Sequence, residues 1–283
     1  MLKVENLSIS FKSDYGLIHA IKDFSFELKE NKTLCIVGES GSGKSVTSLA
    51  IMGLLAKTAV INSGKIIYNN EDLLKLQEKK LRNIRGKEIA MIFQEPMTSL
   101  NPVLTIGYQL EEVLKEHEPN LNKKDRIEKI INILNKVGIK EPEKRLKDYP
   151  FKLSGGQRQR VMIAMAVICK PKLLIADEPT TALDVSIQAQ VLELMKELQN
   201  EYKMSILFIT HDLGVVNTIA DDILVVYKGV ALESGSCQVV LNNPKHPYTQ
   251  ALLGANPINK IPKSRLSFVD ENIDYLKFKK ELR

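Results

Sequence analysis

The sequence is poor in cysteine, with three in 283 residues. Cys35, Cys169 and Cys237 stand far apart and are odd in number, which disfavours both a disulfide framework and a thiolate metal site. Cys35 lies in an apolar run and Cys169 closes a predicted helix, so buried free thiols are expected. No stretch approaches roughly eighteen consecutive apolar residues, which excludes a membrane-spanning helix. The start, Met1-Leu2-Lys3-Val4-Glu5-Asn6, has no apolar signal core behind a basic end, and the protein is expected to remain in the cytosol. Internal repeats, low-complexity tracts and sustained heptads are also missing. Charge of neither sign dominates: 40 basic against 34 acidic residues leave +6, and Lys277, Lys279, Lys280 and Arg283 place much of that surplus in the tail. Charge alone therefore argues no partner.

What is present is an ordinary globular balance of 44% hydrophobic and 26% charged residues, enough for one large core with a smaller appendage. The first ten residues and the run Ile18 to Leu28 alternate apolar and polar near period two, as in an antiparallel hairpin with one exposed face. Thr33 to Val37 is a short apolar strand, followed by a glycine-rich loop and a helix predicted through Leu55. From Gln94 to about Lys170 the pattern is mainly helical, with breakers at Asn101-Pro102, Pro119-Asn120 and Pro142. Apolar strands follow at Leu173 to Ala176, Ser205 to Thr210 and Ile223 to Val226. Between the first two, Ile187, Val191, Leu194, Met195 and Leu198 recur at helical spacing as one buried stripe. Strands without a polar face, alternating with helices, imply an α/β fold whose mostly parallel sheet is covered on both sides. The helical stretch, about 95–170, is an insertion into that core. Beyond Asn243 the chain becomes a proline-marked appendage.

The loop Gly38-Glu39-Ser40-Gly41-Ser42-Gly43-Lys44-Ser45 satisfies G-x-x-x-x-G-K-[ST] between a strand and a helix. Its chemistry needs each residue type. Glycines let backbone N–H groups turn towards an anion, Lys44 adds a point charge for the β- and γ-phosphates, and the Ser45 hydroxyl is a hard oxygen ligand for Mg²⁺. The helix start adds about half a unit of positive charge. Asp177 and Glu178 end a buried strand, at the edge where ligands gather in open parallel sheets. Neighbours on an extended chain point opposite ways. Asp177 is thus assigned to the Mg²⁺ shell and Glu178 to an attacking water.

Leu153-Ser154-Gly155-Gly156-Gln157, opening a helix predicted over Arg158 to Ile168, resembles the signature of the ATP-binding-cassette family. The resemblance covers residues 1 to about 240. It implies a P-loop NTPase core with a mostly parallel sheet, an N-terminal antiparallel β subdomain, an inserted α-helical subdomain and a short C-terminal module at 241–283. It further implies that Ser154, Gly155, Gly156 and Gln157 cap the γ-phosphate of an ATP held by an opposite subunit. Two cassettes then sandwich two nucleotides. In order along the chain, Gln94 looks like the glutamine that links Mg²⁺ and water to the helical insertion. Ala182-Leu183-Asp184 looks like the loop that speaks across the dimer. His211, 34 residues beyond Asp177, looks like the switch histidine at the γ-phosphate. Adenine is expected to stack on Phe11, with Tyr15 as the alternative.

The runs Phe93 to Pro102, Asp177 to Asp184 and His246-Pro247-Tyr248-Thr249-Gln250-Ala251-Leu252-Leu253 resemble the oligopeptide and dipeptide importer branch, which also holds nickel importers. Arg160 to Ala166 and Thr180-Thr181 look like the first of that branch's two ATPase chains. The expected function is ATP hydrolysis driving import of short peptides, with nickel or metal-chelator import as the alternative. Expected partners are a second cassette on a different chain, two transmembrane permease subunits and an extracytoplasmic binding lipoprotein, with the chain on the cytoplasmic face of the membrane. No cysteine follows Cys237, so the iron–sulfur cluster that many branch members carry in the C-terminal module is not expected. A soluble cassette ATPase acting on nucleic acid is the rival from another class; this chain lacks the aromatic-rich basic face that base stacking needs, and no nucleic-acid partner is expected. A regulatory cassette without turnover is opposed by Glu178 and His211.

Overall fold

Leu2 starts a strand that buries Leu2, Val4, Leu7 and Ile9, keeping the predicted period of two except for a slip between Val4 and Leu7. A computed structural model describes residues 1–94, 99–181, 183–255, 269–270 and 273–279. The chain divides into two compact units, Met1–Gln77 with Leu207–Arg283, and Glu78–Ile206.

In the first unit, β1 (Leu2–Ser13) pairs antiparallel with β2 (Gly16–Leu28), from Leu2 opposite Leu28 to Ser13 opposite Gly16. Its other edge pairs antiparallel with β4 (Ala59–Tyr68), which continues to the two-residue β5 (Glu71–Asp72). β4 was not legible in the sequence, because residues 61–65 are exposed and its apolar face is interrupted. The β1–β4 ladder slips between Glu5 and Ser8. There Asn6 takes a left-handed φ of 47° and a Cβ on Gly64 would lie 2.5 Å from the Leu7 Cα. Only glycine fits beside this bulge.

β3 (Thr33–Val37) is buried at all five positions and runs parallel to β9 (Asp222–Tyr227). β10 (Val230–Ser236) returns antiparallel to β9 through Lys228 and Gly229, both at positive φ. That is the backbone a two-residue hairpin with the strands' own twist requires. The helix after the glycine loop is Lys44–Ile51, shorter than the predicted run through Leu55. Gly53 N–H reaches the Ala50 carbonyl and Leu54 N–H the Leu49 carbonyl, with Gly53 at φ 62°. This glycine stop closes the helix by satisfying its last carbonyls.

The C-terminal segment is tied into this unit rather than hanging from it. Glu233 of β10 accepts from the backbone N–H of Lys245 at 2.7 Å and of His246 at 3.1 Å. The helix Pro247–Gly254 then buries Tyr248 completely, its ring 4.6 Å from Tyr227 and 5.4 Å from Tyr275. Lys280 and Arg283, noted in the sequence, lie outside the described residues, as do Pro257 and Pro262 of the proline-marked appendage.

In the second unit, β6 (Ile89–Ile92) runs parallel to β7 (Leu173–Asp177), from Ile89 opposite Leu173 to Ile92 opposite Ala176. Helices occupy Glu78–Ile84, Ile106–His117, Lys123–Lys136, Pro142–Arg145, Gly155–Val167 and Val185–Tyr202. Thr105 and Asn122 cap two of them through their side-chain oxygens, as their place before periodic apolar runs predicts. The stripe on Val185–Tyr202 holds Val191, Leu194, Met195 and Leu198 in the core. Ile187 departs from it: it is half-buried, with its Cγ2 2.9 Å from where a Cβ of Gly156 would be. β8 (Ser205–Thr210), buried throughout, is the strand within which the division into units falls. Among the described residues no helix is long and apolar enough to cross a membrane.

The three thiols are free. Cys35 and Cys237 are buried as expected, whereas Cys169 is only half-buried. Burial pushes Cys35 well above an ordinary thiol, raises Cys237, and lifts Cys169 to about 11. Near pH 8 the Cys169 thiolate is then on the order of one part in a thousand. A thiol titration of the native chain at that pH should show no fast-reacting cysteine, and the denatured chain should show all three. One thiol that reacts at the rate of a free peptide cysteine in the native chain would contradict this.

Candidate nucleotide site

The glycine loop grows directly from β3. Gly38 is buried against the β9 backbone, where an added Cβ would meet the Val226 carbonyl oxygen at 2.1 Å. Gly41 and Gly43 take positive φ of 78° and 92°, and an added Cβ on Gly41 would meet nothing within 4 Å. Glu39, Ser40 and Gly41 are exposed, forming the open lip of the loop. Lys44 is buried, and its Nζ donates to the carbonyls of Gly38 at 2.8 Å and Glu39 at 2.7 Å. The loop's own backbone thus holds the cation beneath it. Ser42 Oγ is buried without a hydrogen-bond partner among the described residues. Ser45 occupies the first turn of the helix, which carries no acidic side chain. An orphaned hydroxyl, a caged lysine and an acid-free helix start fit an oxyanion.

In the second unit, Asp177 is the last residue of β7 and is buried. Glu178, also buried, turns into the left-handed region at φ 47°, a conformation disfavoured for a residue with a side chain and recurrent at functional sites. Its Oε2 accepts from Gln94 Nε2 at 3.2 Å and from Thr181 Oγ1 at 3.1 Å. Gln94 and Glu178, 84 positions apart in sequence, are thereby brought together. Thr181 was not singled out as a site residue. It appeared in the sequence only within a branch-specific run, and no spacing rule ties a threonine to a carboxylate three residues back.

The signature helix starts at Gly155, three residues earlier than predicted. Ser154 Oγ accepts from the Gln157 N–H, while the Gln157 side chain accepts from the Ser154 N–H at 3.0 Å. This reciprocal capping box satisfies two N–H groups that would otherwise be orphans, which is why the helix can begin at a glycine pair. A Cβ on Gly155 would meet nothing within 4 Å, so that face is open. Asp184 caps the helix Val185–Tyr202 by accepting from the Ile187 N–H at 2.9 Å, a structural duty the sequence reading did not give it. His211, in the first unit, is exposed just after β8, where Asp212 donates its N–H to Thr210 Oγ1 and caps the next helix. Phe11 does not end its strand; β1 continues to Ser13, with Phe11 half-buried opposite Ile18 and Ala59. Tyr15 is fully exposed at the hairpin tip. Glu95 to Thr98 and Ala182 lie outside the described residues.

Residues 21–181, more than half of the chain, match the family described as ABC transporter. The chain belongs to the ABC transporter ATPase family. This ABC ATPase also matches the C-terminal region of oligopeptide/dipeptide transporters over residues 232–276. It is similar to the dipeptide transport ATP-binding protein DppD of Bacillus subtilis (strain 168), 49% identical over 271 residues, 95% of this chain and 81% of that protein. The oligopeptide transport ATP-binding protein OppD of the same organism is 52% identical over 258 residues, 91% of this chain and 72% of that protein. DppD of Escherichia coli (strain K12) is 50% identical over 267 residues, 94% and 81% of the two chains. Among solved structures, a dimeric ATP-binding cassette in a post-hydrolysis state with ADP and Pi superposes with a TM-score of 0.75 at 28% identity, covering 84% of this chain and 99% of that one. A component of an ABC transporter complex from Clostridium perfringens gives a TM-score of 0.70 at 27% identity, covering 86% and 95%. The P-loop NTPase fold and ATPase activity of the family follow for this ABC ATPase.

Proposed function

We propose that this chain binds ATP with Mg²⁺ and hydrolyses it to energise import of short peptides across the cytoplasmic membrane. The observation that carries the cargo is the identity of 49–52% with dipeptide and oligopeptide transport ATP-binding proteins along 91–95% of the chain. It favours peptides over the nickel alternative. In this reading residues 1–240 are the cassette, with about 95–170 as its helical insertion, and 241–283 are the C-terminal module.

Gly38 to Ser45 cradle the phosphates, with Lys44 as the fixed cation, and Phe11 stacks on adenine. Hard oxygen donors suit Mg²⁺, and Ser45, Asp177 and Gln94 supply a hydroxyl, a carboxylate and an amide. Among the described residues no cluster of three His, Cys, Asp or Glu could hold a metal by itself, which suits an ion that arrives on a nucleotide. Bound there, Mg²⁺ supplies neutralisation of the charge on the phosphates. Glu178 takes the proton of the attacking water, with Gln94 and Thr181 fixing its carboxylate. His211 senses the γ-phosphate. Ser154 to Gln157 and Asp184 complete the pocket of a second cassette, and that subunit completes this one.

Permeases and an extracytoplasmic binding protein then provide the path and the selectivity, with this chain peripheral on the cytoplasmic side. The assembled complex in vesicles should hydrolyse ATP several-fold faster when its binding protein is loaded with a di- to pentapeptide. Stimulation by a nickel chelate with none by any peptide would overturn the cargo assignment.

A further inference from the structure

The segment His246-Pro247-Tyr248 has no part in the chemistry above, yet its tyrosine reaches the phosphate loop. His246 Nδ1 accepts from the Tyr248 N–H at 3.1 Å and so caps the helix Pro247–Gly254. Glu233 holds the His246 backbone from β10. With its backbone fixed, Tyr248 enters the core between Tyr227 and Tyr275, and its hydroxyl accepts from the Glu39 N–H at 3.4 Å.

That N–H and the Gly38 carbonyl belong to one peptide group. A trans peptide is planar and holds its N–H and C=O pointing opposite ways. Fixing the N–H on Tyr248 therefore aims the carbonyl the other way, where Lys44 Nζ donates to it at 2.8 Å. The far side of the loop is held similarly, since the Gly229 N–H of the β9–β10 turn donates to the Ser42 carbonyl at 3.1 Å. The loop is braced from behind at both ends by the C-terminal part of the chain.

We propose that Tyr248 is a positioning residue for ATP binding: through the Gly38–Glu39 peptide it sets where Lys44 is anchored. This rests on the reading of the loop as the phosphate cradle. A contact made before and during catalysis alike contributes uniform binding, which moves KM and not kcat. Tyr248→Phe keeps the ring in its aromatic cluster and removes only the acceptor.

The test uses the full-length chain and a fluorescent ATP analogue, with kinetics on the assembled transporter. Loss of one neutral hydrogen bond corresponds to an affinity change of about three- to tenfold. Tyr248→Phe should weaken nucleotide binding by that factor and raise the KM for ATP likewise, with kcat within twofold of wild type. Tyr275→Phe, which removes a hydroxyl from the same cluster, should leave the affinity unchanged. Equal loss in both variants, or none in Tyr248→Phe, would overturn the proposal. Amide exchange gives an independent reading: the Glu39 N–H of the wild-type chain should be protected, and exchange at the rate of an open loop would also overturn it, even if the Phe variant failed to fold. Wild-type chain that binds no nucleotide at all would instead remove the cradle reading itself.

Discussion

Glu178→Gln is expected to leave nucleotide binding intact and to lower turnover of the assembled transporter by about 10² to 10⁴-fold, the span of a positioned general base. The argument rests on the surroundings of the carboxylate. Glu178 is buried, lies in left-handed backbone, and holds the Gln94 and Thr181 donors on one oxygen. An amide of the same shape keeps the packing and can still accept, but it cannot take a proton from water. Because the γ-phosphate then stays in place, ATP should also trap a two-cassette complex visible by sedimentation. Phosphate release within threefold of wild type would remove Glu178 from the role of base. A complex that never forms with ATP would remove the sandwich.

The second large effect comes from a residue with no functional group. Gly38→Ala places a Cβ on the line of the Val226 carbonyl, 2.1 Å away. Backbone must move at the β3–β9 ladder to relieve this, and the loop's first peptide moves with it. Overpacking costs about 1–3 kcal/mol, and a clash with rigid backbone falls at the top of that span, which lowers Tm by roughly 6–12 °C in a chain of this size. Nucleotide affinity should fall with it, because Lys44 is anchored on the Gly38 carbonyl. Gly41→Ala is the control. It faces open space at φ 78°, so only the left-handed conformation is penalised, by about 1–2 kcal/mol. Thermal melts of the two variants that coincide would refute the contact argument.

Much of this was legible in the residues. β3, β7 and β8 announce themselves because each is apolar on both faces, and the glycine loop because its spacing leaves few other uses. What was missed has physical reasons. β4 turns polar from Asn62 to Lys65, where the β1–β4 ladder slips, so the period-two pattern breaks. β6 has four residues, too few to display a period beside the helical run that follows. The partnership of Gln94 with Glu178 is tertiary, as is that of Tyr248 with Glu39, and no local pattern encodes either. A glycine pair reads as loop, so the sequence alone starts the signature helix at Arg158. The capping box between Ser154 and Gln157 overrides that propensity.

In the proposed two-cassette sandwich, that same box bears on how fast the cassettes meet. A serine whose hydroxyl already terminates a finished helix arrives at its target folded, so docking on a nucleotide held by another subunit immobilises almost nothing new. Surfaces that are pre-shaped lose little entropy on association, and their encounter is governed by diffusion and orientation rather than by refolding. On that reading, the joining of the two halves adds no ordering step of its own to the cycle.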